Sequence, residues 1–273
     1  MTKLLGFRYA RESDSLLSTP PIYLKAKQNR GHRHPQRENH TFVFVHGGWC
    51  GGWLWRDVAP ALRDLGHVVT TPTLTGLGER RHLENGTATL STHVEDIVAH
   101  IEMEDFQNVT LVSQSYGGMV ATGALARIPY RIRSMIYLDA FVPEDGQSLV
   151  DCFSPEFQAP FMPFKEEDRP VPSFPLSFLG ITDPALVEFM TPKLVDHPWR
   201  TLFEPAKTIK RPSHVQMSYV RCTAYPAEHL DRIMVRLASD LEVRMATIDT
   251  SHLCMLTAPE ETVRTILDLC RNR

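Results

Sequence analysis

The sequence predicts an α/β fold: a mostly parallel central sheet flanked by helices, with a lid of short helices inserted into it. Three observations carry this. Apolar runs of strand length alternate with segments of helical spacing over most of the chain. A turn of small and polar residues, Ser113-Gln114-Ser115-Tyr116-Gly117-Gly118, joins one such run to a helical pattern. Between Val142 and Pro212 the alternation stops, and proline and aromatic residues take over.

The first strand is Thr41-Phe42-Val43-Phe44-Val45, a continuous apolar run that suits burial on both faces of a sheet. Residues 53–65 read as an amphipathic helix and 67–72 as the next strand. Val94, Ile97, Val98 and Ile101 give residues 92–102 helical spacing. Val109-Thr110-Leu111-Val112 is a strand that enters the small-residue turn, and residues 119–126 form the helix behind it. Residues 134–138 are a further strand. After the interruption the pattern resumes: strand 216–222, helix 226–237, strand 242–248 and a closing helix over 259–269.

The interruption has a character of its own. Twelve of the 20 prolines lie between Pro143 and Pro212, which prevents long helices and central strands. Phe153, Phe157, Phe161, Phe164, Phe174, Phe178, Trp199 and Phe203 fall there as well, and a disordered linker is not rich in phenylalanine. The expected organisation is an extension over 1–40, a core over 41–141 and 213–273, and a lid over 142–212. The extension lacks apolar periodicity and carries Lys25, Lys27, Arg30, Arg33 and Arg37, so it reads as a flexible or surface-draped segment.

Composition narrows the function. A chain of 273 residues with 42% hydrophobic content fits one large domain with an insertion. A net charge of -3 gives no reason to expect nucleic-acid or membrane partners. No apolar run approaches a membrane span, and the first residues are too short and polar for a signal peptide. Cys50, Cys152, Cys222, Cys254 and Cys270 are odd in number and widely spaced, which suits reduced thiols in the cytoplasm and gives no metal-ligand spacing. A homodimer stays open.

The turn at Ser115 carries chemistry. A strand, an exposed serine, glycines and a helix describe a nucleophile elbow, with Ser113 where the usual G-x-S-x-G form has its first glycine. Ser115 is therefore the candidate nucleophile for acyl transfer or hydrolysis. Serine needs a base, and histidine titrates in the useful range. Of 12 histidines, His252 stands out: it follows the last strand and precedes the last helix, the place for the late histidine in the order serine, acid, histidine. His46-Gly47-Gly48-Trp49 after the first strand is a glycine loop of the kind that supplies an oxyanion-hole amide. Gly48 and Tyr116 are the candidate backbone donors, and His46 is read as structural.

Residues 42–55, from Phe42 through the double-glycine loop to Trp55, resemble the opening of the small-ester branch of the α/β-hydrolase superfamily. That branch includes bacterial esterases, plant methylesterases and plant hydroxynitrile lyases. Residues 72–80 are similar to the bacterial esterases, and 251–260 to the family's histidine segment. The resemblance implies the α/β-hydrolase fold and a serine carboxylic ester hydrolase with no metal or organic cofactor. The expected substrate is a small, largely apolar or aryl ester, with Trp49, Phe141 and Leu253 as candidate pocket residues.

The acid departs from the family. Many members carry an aspartate shortly after the strand at 218–223, where this chain has Thr223-Ala224-Tyr225-Pro226. Asp139, at the carboxyl end of the strand beside the elbow, is the favoured acid. Glu228, Asp231 and a missing acid stay open. Two other functions also stay open: a hydroxynitrile lyase-like enzyme, and a non-catalytic small-molecule receptor. The lyases carry lysine after the histidine and threonine after the strand-ending histidine, where this chain has Leu253 and Gly47.

Overall fold

The structure is a computed structural model that describes residues 39–84 and 86–271. The extension expected over 1–40 lies, apart from Asn39 and His40, outside the described residues. Six strands form one sheet: β1 (Thr41–Val45), β2 (Val68–Thr70), β3 (Val109–Gln114), β4 (Ile132–Leu138), β5 (Gln216–Cys222) and β6 (Val243–Ile248). All five pairings are parallel, in the order β2-β1-β3-β4-β5-β6. The helices are α1 (Val58–Asp64), α2 (Leu90–Met103), α3 (Gly117–Arg127), α4 (Pro155–Gln158), α5 (Met162–Glu166), α6 (Pro184–Met190), α7 (Trp199–Phe203), α8 (Glu228–Ala238), α9 (Cys254–Thr257) and α10 (Pro259–Cys270).

Side-chain alternation along the strands explains why both faces are covered. On β1, Val43 and Val45 join the core under α2, α3 and α8, while Phe42 and Phe44 join the opposite core with α1 and α10. On β4, Met135 and Tyr137 take the first side, and Ile136 and Leu138 the second. Beyond Thr41 on β1 and Arg133 and Ser134 on β4 these strands are apolar, because neither face of their inner stretches meets water.

Two expected elements changed. Residues 53–65 do not form one helix: a 3-10 turn over Gly52–Trp55 precedes α1. Pro60 has no N–H to give to the carbonyl of Arg56, so the helix begins at Val58 and places the proline in its first turn, where no donor is needed. The strand expected over 67–72 shrinks to Val68–Thr70, which pairs on one side only, at the sheet edge.

The chain order reverses between β1 and β3. From β1 the chain moves outward to β2 and then returns to place β3 on β1's other side. At such a switch point the loops leaving adjacent strands turn apart and open a crevice beyond their carboxyl ends. The glycine loop after β1 and the Ser115 turn after β3 both lie there. Between β4 and β5 runs an insertion whose four α-helices, α4 to α7, are four to seven residues long. Prolines in the first turns of α4, α5 and α6 set where those three start.

Candidate active site

Ser115 sits between β3 and α3 with φ of +51°, a left-handed conformation that costs a non-glycine residue on the order of 1–2 kcal/mol. The glycines behind it make that turn attainable. A Cβ on Gly117 would come within 2.6 Å of the His46 carbonyl oxygen, and one on Gly118 would overlap the carbonyl oxygen of Phe141. The turn is thus pressed against both flanking strand ends. Ser113, the residue in place of the first glycine, is fully buried, and its hydroxyl has no partner among the described residues.

Asp139 follows β4, also with positive φ (+47°), and is fully buried. Its Oδ2 lies 2.7 Å from His252 Nδ1. Its Oδ1 accepts from the Cys222 amide at 3.0 Å and from Arg221 Nη1 at 2.8 Å. The Arg221 guanidinium is itself buried. It also donates to Asp231, to the Cys222 carbonyl and to the Tyr225 carbonyl. Of the three carboxylates weighed from sequence, Asp139 is the one on the histidine, and Asp231 is spent on Arg221. The absent family aspartate is thus matched by a carboxylate from the neighbouring strand end, which reaches the same ring.

His252 is buried under Tyr225, with ring centroids 4.6 Å apart. With Nδ1–H given to Asp139, its Nε2 carries the lone pair. That lone pair faces the side-chain amide of Gln114 at 3.1 Å, and the same amide nitrogen donates to the His252 carbonyl at 3.2 Å. Two acceptors converge on one nitrogen, which fixes the orientation of the Gln114 amide. Gln114 is a site residue that sequence reasoning missed. The only signal was its place directly before the nucleophile.

Gly48 and Tyr116 are close neighbours: a Cβ on Gly48 would lie 3.7 Å from Tyr116 Cβ. Among the described residues, neither backbone N–H has a partner within the protein. The Tyr116 ring is buried away from this point, its hydroxyl on His93 Nδ1 at 2.8 Å. His46 ties the base of the glycine loop: its Nδ1 is 2.8 Å from the Gly47 carbonyl, and its Nε2 accepts from the Leu74 amide at 3.1 Å. Burial pushes His46 and His93 down to about 4, so both are neutral in the fold.

Ser115, Tyr116 and His252 line one cavity of about 250 Å³. Trp49, Phe141 and Tyr225 enter from the core, and Phe153, Phe161, Phe174 and Phe178 from the insertion. Of the three residues expected in a pocket, Trp49 and Phe141 line this cavity. Leu253 does not. It is buried in the core beneath α10, because the residue after His252 points away from the cavity that His252 faces. His229, from α8, stacks on Phe141 at 5.3 Å, and burial together with the nearby His252 pushes it down to about 4. No lysine or arginine lines the cavity among the described residues. Among those residues, no cluster of histidine, cysteine, aspartate or glutamate could hold a metal ion, and no helix is long and apolar enough to cross a membrane.

Residues 42–265 match the profile of the alpha/beta hydrolase family. The chain belongs to that family. The carbendazim hydrolyzing esterase of Nocardioides sp. (strain SG-4G) is 53% identical over 126 residues, covering 45% of this chain and 52% of that protein. Methylesterase 10 of Arabidopsis thaliana is 34% identical over 122 residues, covering 44% of each. The chain thus spans about half the length, or less, of the first curated relatives it matches. Polyneuridine aldehyde esterase of Rauvolfia serpentina is 24% identical over 258 residues, covering 85% of this chain and 96% of that protein. Among solved structures, an extracellular α/β-hydrolase from a Paenibacillus species superposes with a TM-score of 0.71 at 24% identity, covering 85% of this chain and all of the other. The six-stranded parallel sheet is therefore the α/β-hydrolase fold.

Proposed function

We propose that this chain is a serine hydrolase of small, largely apolar or aryl carboxylic esters, with Ser115 as nucleophile, His252 as base and Asp139 as the acid that orients it. The observation that carries the proposal is the 2.7 Å pair between Asp139 Oδ2 and His252 Nδ1, with His252 lining the same cavity as Ser115 and Asp139 buried behind it. Asp139 holds the imidazole with its proton on Nδ1, so the Nε2 lone pair can take the Ser115 proton. The Gln114 amide and the Ser115 hydroxyl compete for that lone pair, and proton transfer follows release by Gln114. Ser115 Oγ then attacks the ester carbonyl, and the Gly48 and Tyr116 amides hold the oxyanion. His252 protonates the departing alcohol and next activates a water, which cleaves the acyl-enzyme. No step calls for a metal or organic cofactor.

The substrate follows from the cavity. Its volume suits a small molecule, and its aromatic walls favour an apolar or aryl group. Relatives named as an esterase for carbendazim and as methylesterases support an ester of this kind. The insertion acts as a lid, since its phenylalanines close one side of the cavity. A hydroxynitrile lyase is disfavoured, because among the described residues no lysine or arginine lines the cavity to receive a departing cyanide. The cytoplasm is the proposed compartment, on the sequence's cysteine usage. A fluorophosphonate probe tests the central assignment. It should label the wild-type protein at Ser115 and leave the Ser115→Ala variant unlabelled. A receptor without catalysis would bind small ligands and resist the probe.

A further inference from the structure

Trp49 closes the glycine loop with φ of +61°, an uncommon conformation for a bulky residue. Something must hold it there, and three hydrogen bonds do. Its backbone N–H donates to His197 Nδ1 at 3.2 Å. Its carbonyl accepts from the Val195 amide at 3.1 Å. Its indole N–H donates to the Val171 carbonyl at 2.8 Å. All three partners belong to the β4–β5 insertion. Val171 and His197 are joined to each other by a reciprocal pair of backbone hydrogen bonds, each 2.8 Å long.

The proton on His197 is fixed by its surroundings. The Thr201 hydroxyl donates to the Pro198 carbonyl at 2.8 Å, so its oxygen is left to accept from His197 Nε2–H at 2.7 Å. Nδ1 then carries the lone pair that the Trp49 amide needs. The ring is fully buried, with its centroid 4.7 Å from that of Tyr116 and edge-on to it. Burial, with His93 and His46 nearby, holds it neutral. A Cβ on Gly48 would lie 3.4 Å from this same Nδ1. The Trp49 N–H is therefore engaged by His197, whereas the Gly48 N–H has no partner among the described residues.

We infer that His197 is a positioning residue of the oxyanion hole: by accepting from Trp49 N–H it fixes the Gly48–Trp49 peptide and so restrains Gly48 φ and ψ, through which the Gly47–Gly48 peptide, held on its other side by His46 Nδ1 at the Gly47 carbonyl, directs the Gly48 N–H. This rests on the assignment of Ser115 and its oxyanion donors above. It makes the insertion part of the catalytic geometry as well as the cavity wall. Substrate binding through the aromatic walls does not depend on the Gly48 direction, whereas transition-state stabilisation does. The effect therefore falls on kcat and leaves KM nearly alone.

The test compares His197→Leu with His197→Asn, whose side-chain oxygen restores an acceptor near the Nδ1 position. Turnover of p-nitrophenyl butyrate is measured per active site, titrated with a fluorophosphonate. Inhibition by an aryl trifluoromethyl ketone, which forms an oxyanion adduct with the serine, is measured beside inhibition by 4-nitrophenol. Losing one oxyanion donor costs about 10²–10³ in kcat, and misdirecting one costs up to that. His197→Leu is expected to lower kcat about 10- to 100-fold. The ketone should weaken by the same factor, while KM and 4-nitrophenol binding hold within about threefold. His197→Asn should recover most of the loss. Thr201→Val, which removes the acceptor for Nε2–H, provides a milder second variant should His197→Leu not fold. It is expected to lower kcat and ketone affinity together. Wild-type kcat and ketone affinity in the folded variants overturn the inference. So does a loss of kcat with ketone affinity unchanged, or an equal loss in His197→Asn. Ser115→Ala separates the two levels. If it keeps full turnover, the serine assignment itself falls. If it is inactive while the His197 and Thr201 variants are unaffected, only the role of His197 falls.

Discussion

The two sides of the cavity are built by different means. The core side is made of strand ends. Ser115 and Asp139 sit at the carboxyl ends of adjacent parallel strands, each with positive φ, and His252 follows the last strand. Backbone hydrogen bonds fix these points, as between the Asp139 amide and the Val220 carbonyl at 2.7 Å. The insertion side has no sheet. It is a chain of short helices that supplies rings: Phe153 and Phe161 stack with centroids 5.7 Å apart, and Phe174 meets Trp49 at 4.9 Å. The core holds polar atoms at fixed distances, while the insertion shapes the space in front of them. Changes on the core side should therefore act on kcat. Changes to the insertion's phenylalanines should act on KM, whereas His197, which reaches across to the glycine loop of the core, is the insertion's one ring expected to act on kcat.

The largest expected effect is on the core side. Ser115→Ala should lower kcat for p-nitrophenyl butyrate by a factor on the order of 10⁴–10⁶, with the fold retained by circular dichroism. A variant that still turns over at the wild-type rate would remove the core side's claim to the chemistry. Next comes Asp139→Asn, expected to cost about 10⁴ in kcat because the amide no longer enforces the Nδ1–H tautomer. An unaltered kcat would move the orienting acid elsewhere.

Acid stability probes the buried histidines beneath both sides. His46 and His93 are held at about 4, and His197 is also lowered, each chiefly by burial. The folded state therefore binds fewer protons than the unfolded chain between pH 6.5 and 4. Stability from these groups is complete above pH 6.5 and is lost as pH falls toward 4. For His46 or His93 the loss at pH 5 is on the order of 2 kcal/mol. Urea unfolding at pH 7 and pH 5 measures it, and a flat profile would mean that these rings titrate in the fold as they do in the unfolded chain.

Phe153→Ala tests the insertion side. It should raise KM for aryl esters about tenfold, near 1.4 kcal/mol, and change kcat little. A drop in kcat with constant KM would erase the contrast between the two sides. The smallest effect is on stability. Ser113→Ala removes a buried hydroxyl without a partner and should stabilise by about 1 kcal/mol, raising Tm by about 2–4 °C.

Much of the core side was legible in the sequence, because each signal there is local. The inner strand β1 announces itself as an apolar run buried on both faces. The Ser115 turn is readable because its crowding admits only small residues behind it. Asp139 was reachable by counting strand ends, since adjacent parallel strands deliver their termini to one edge. The insertion was legible as a region of proline and phenylalanine, but not residue by residue. Which rings face the cavity depends on how short helices dock, and no periodicity spans them. Leu253 shows the same limit at a single position. Sequence adjacency to His252 says nothing about which way the next side chain turns. Arg221 read as part of a strand, and its position behind Asp139 emerged only when β4 and β5 paired.

By itself the sequence determined the alternation of strand and helix, the strained turn at Ser115 and the late histidine. Each is set by chemistry within a few residues: side-chain alternation, the lack of a Cβ, or the missing proline N–H. Tertiary structure decided how the distant pieces meet. It brought His252 to Asp139 across 113 positions, Gln114 to the Nε2 edge of the same ring, and His197 to Trp49 across 148. Such pairings depend on sheet order and helix docking, which are settled by burial summed over the whole core and which no local stretch of residues encodes.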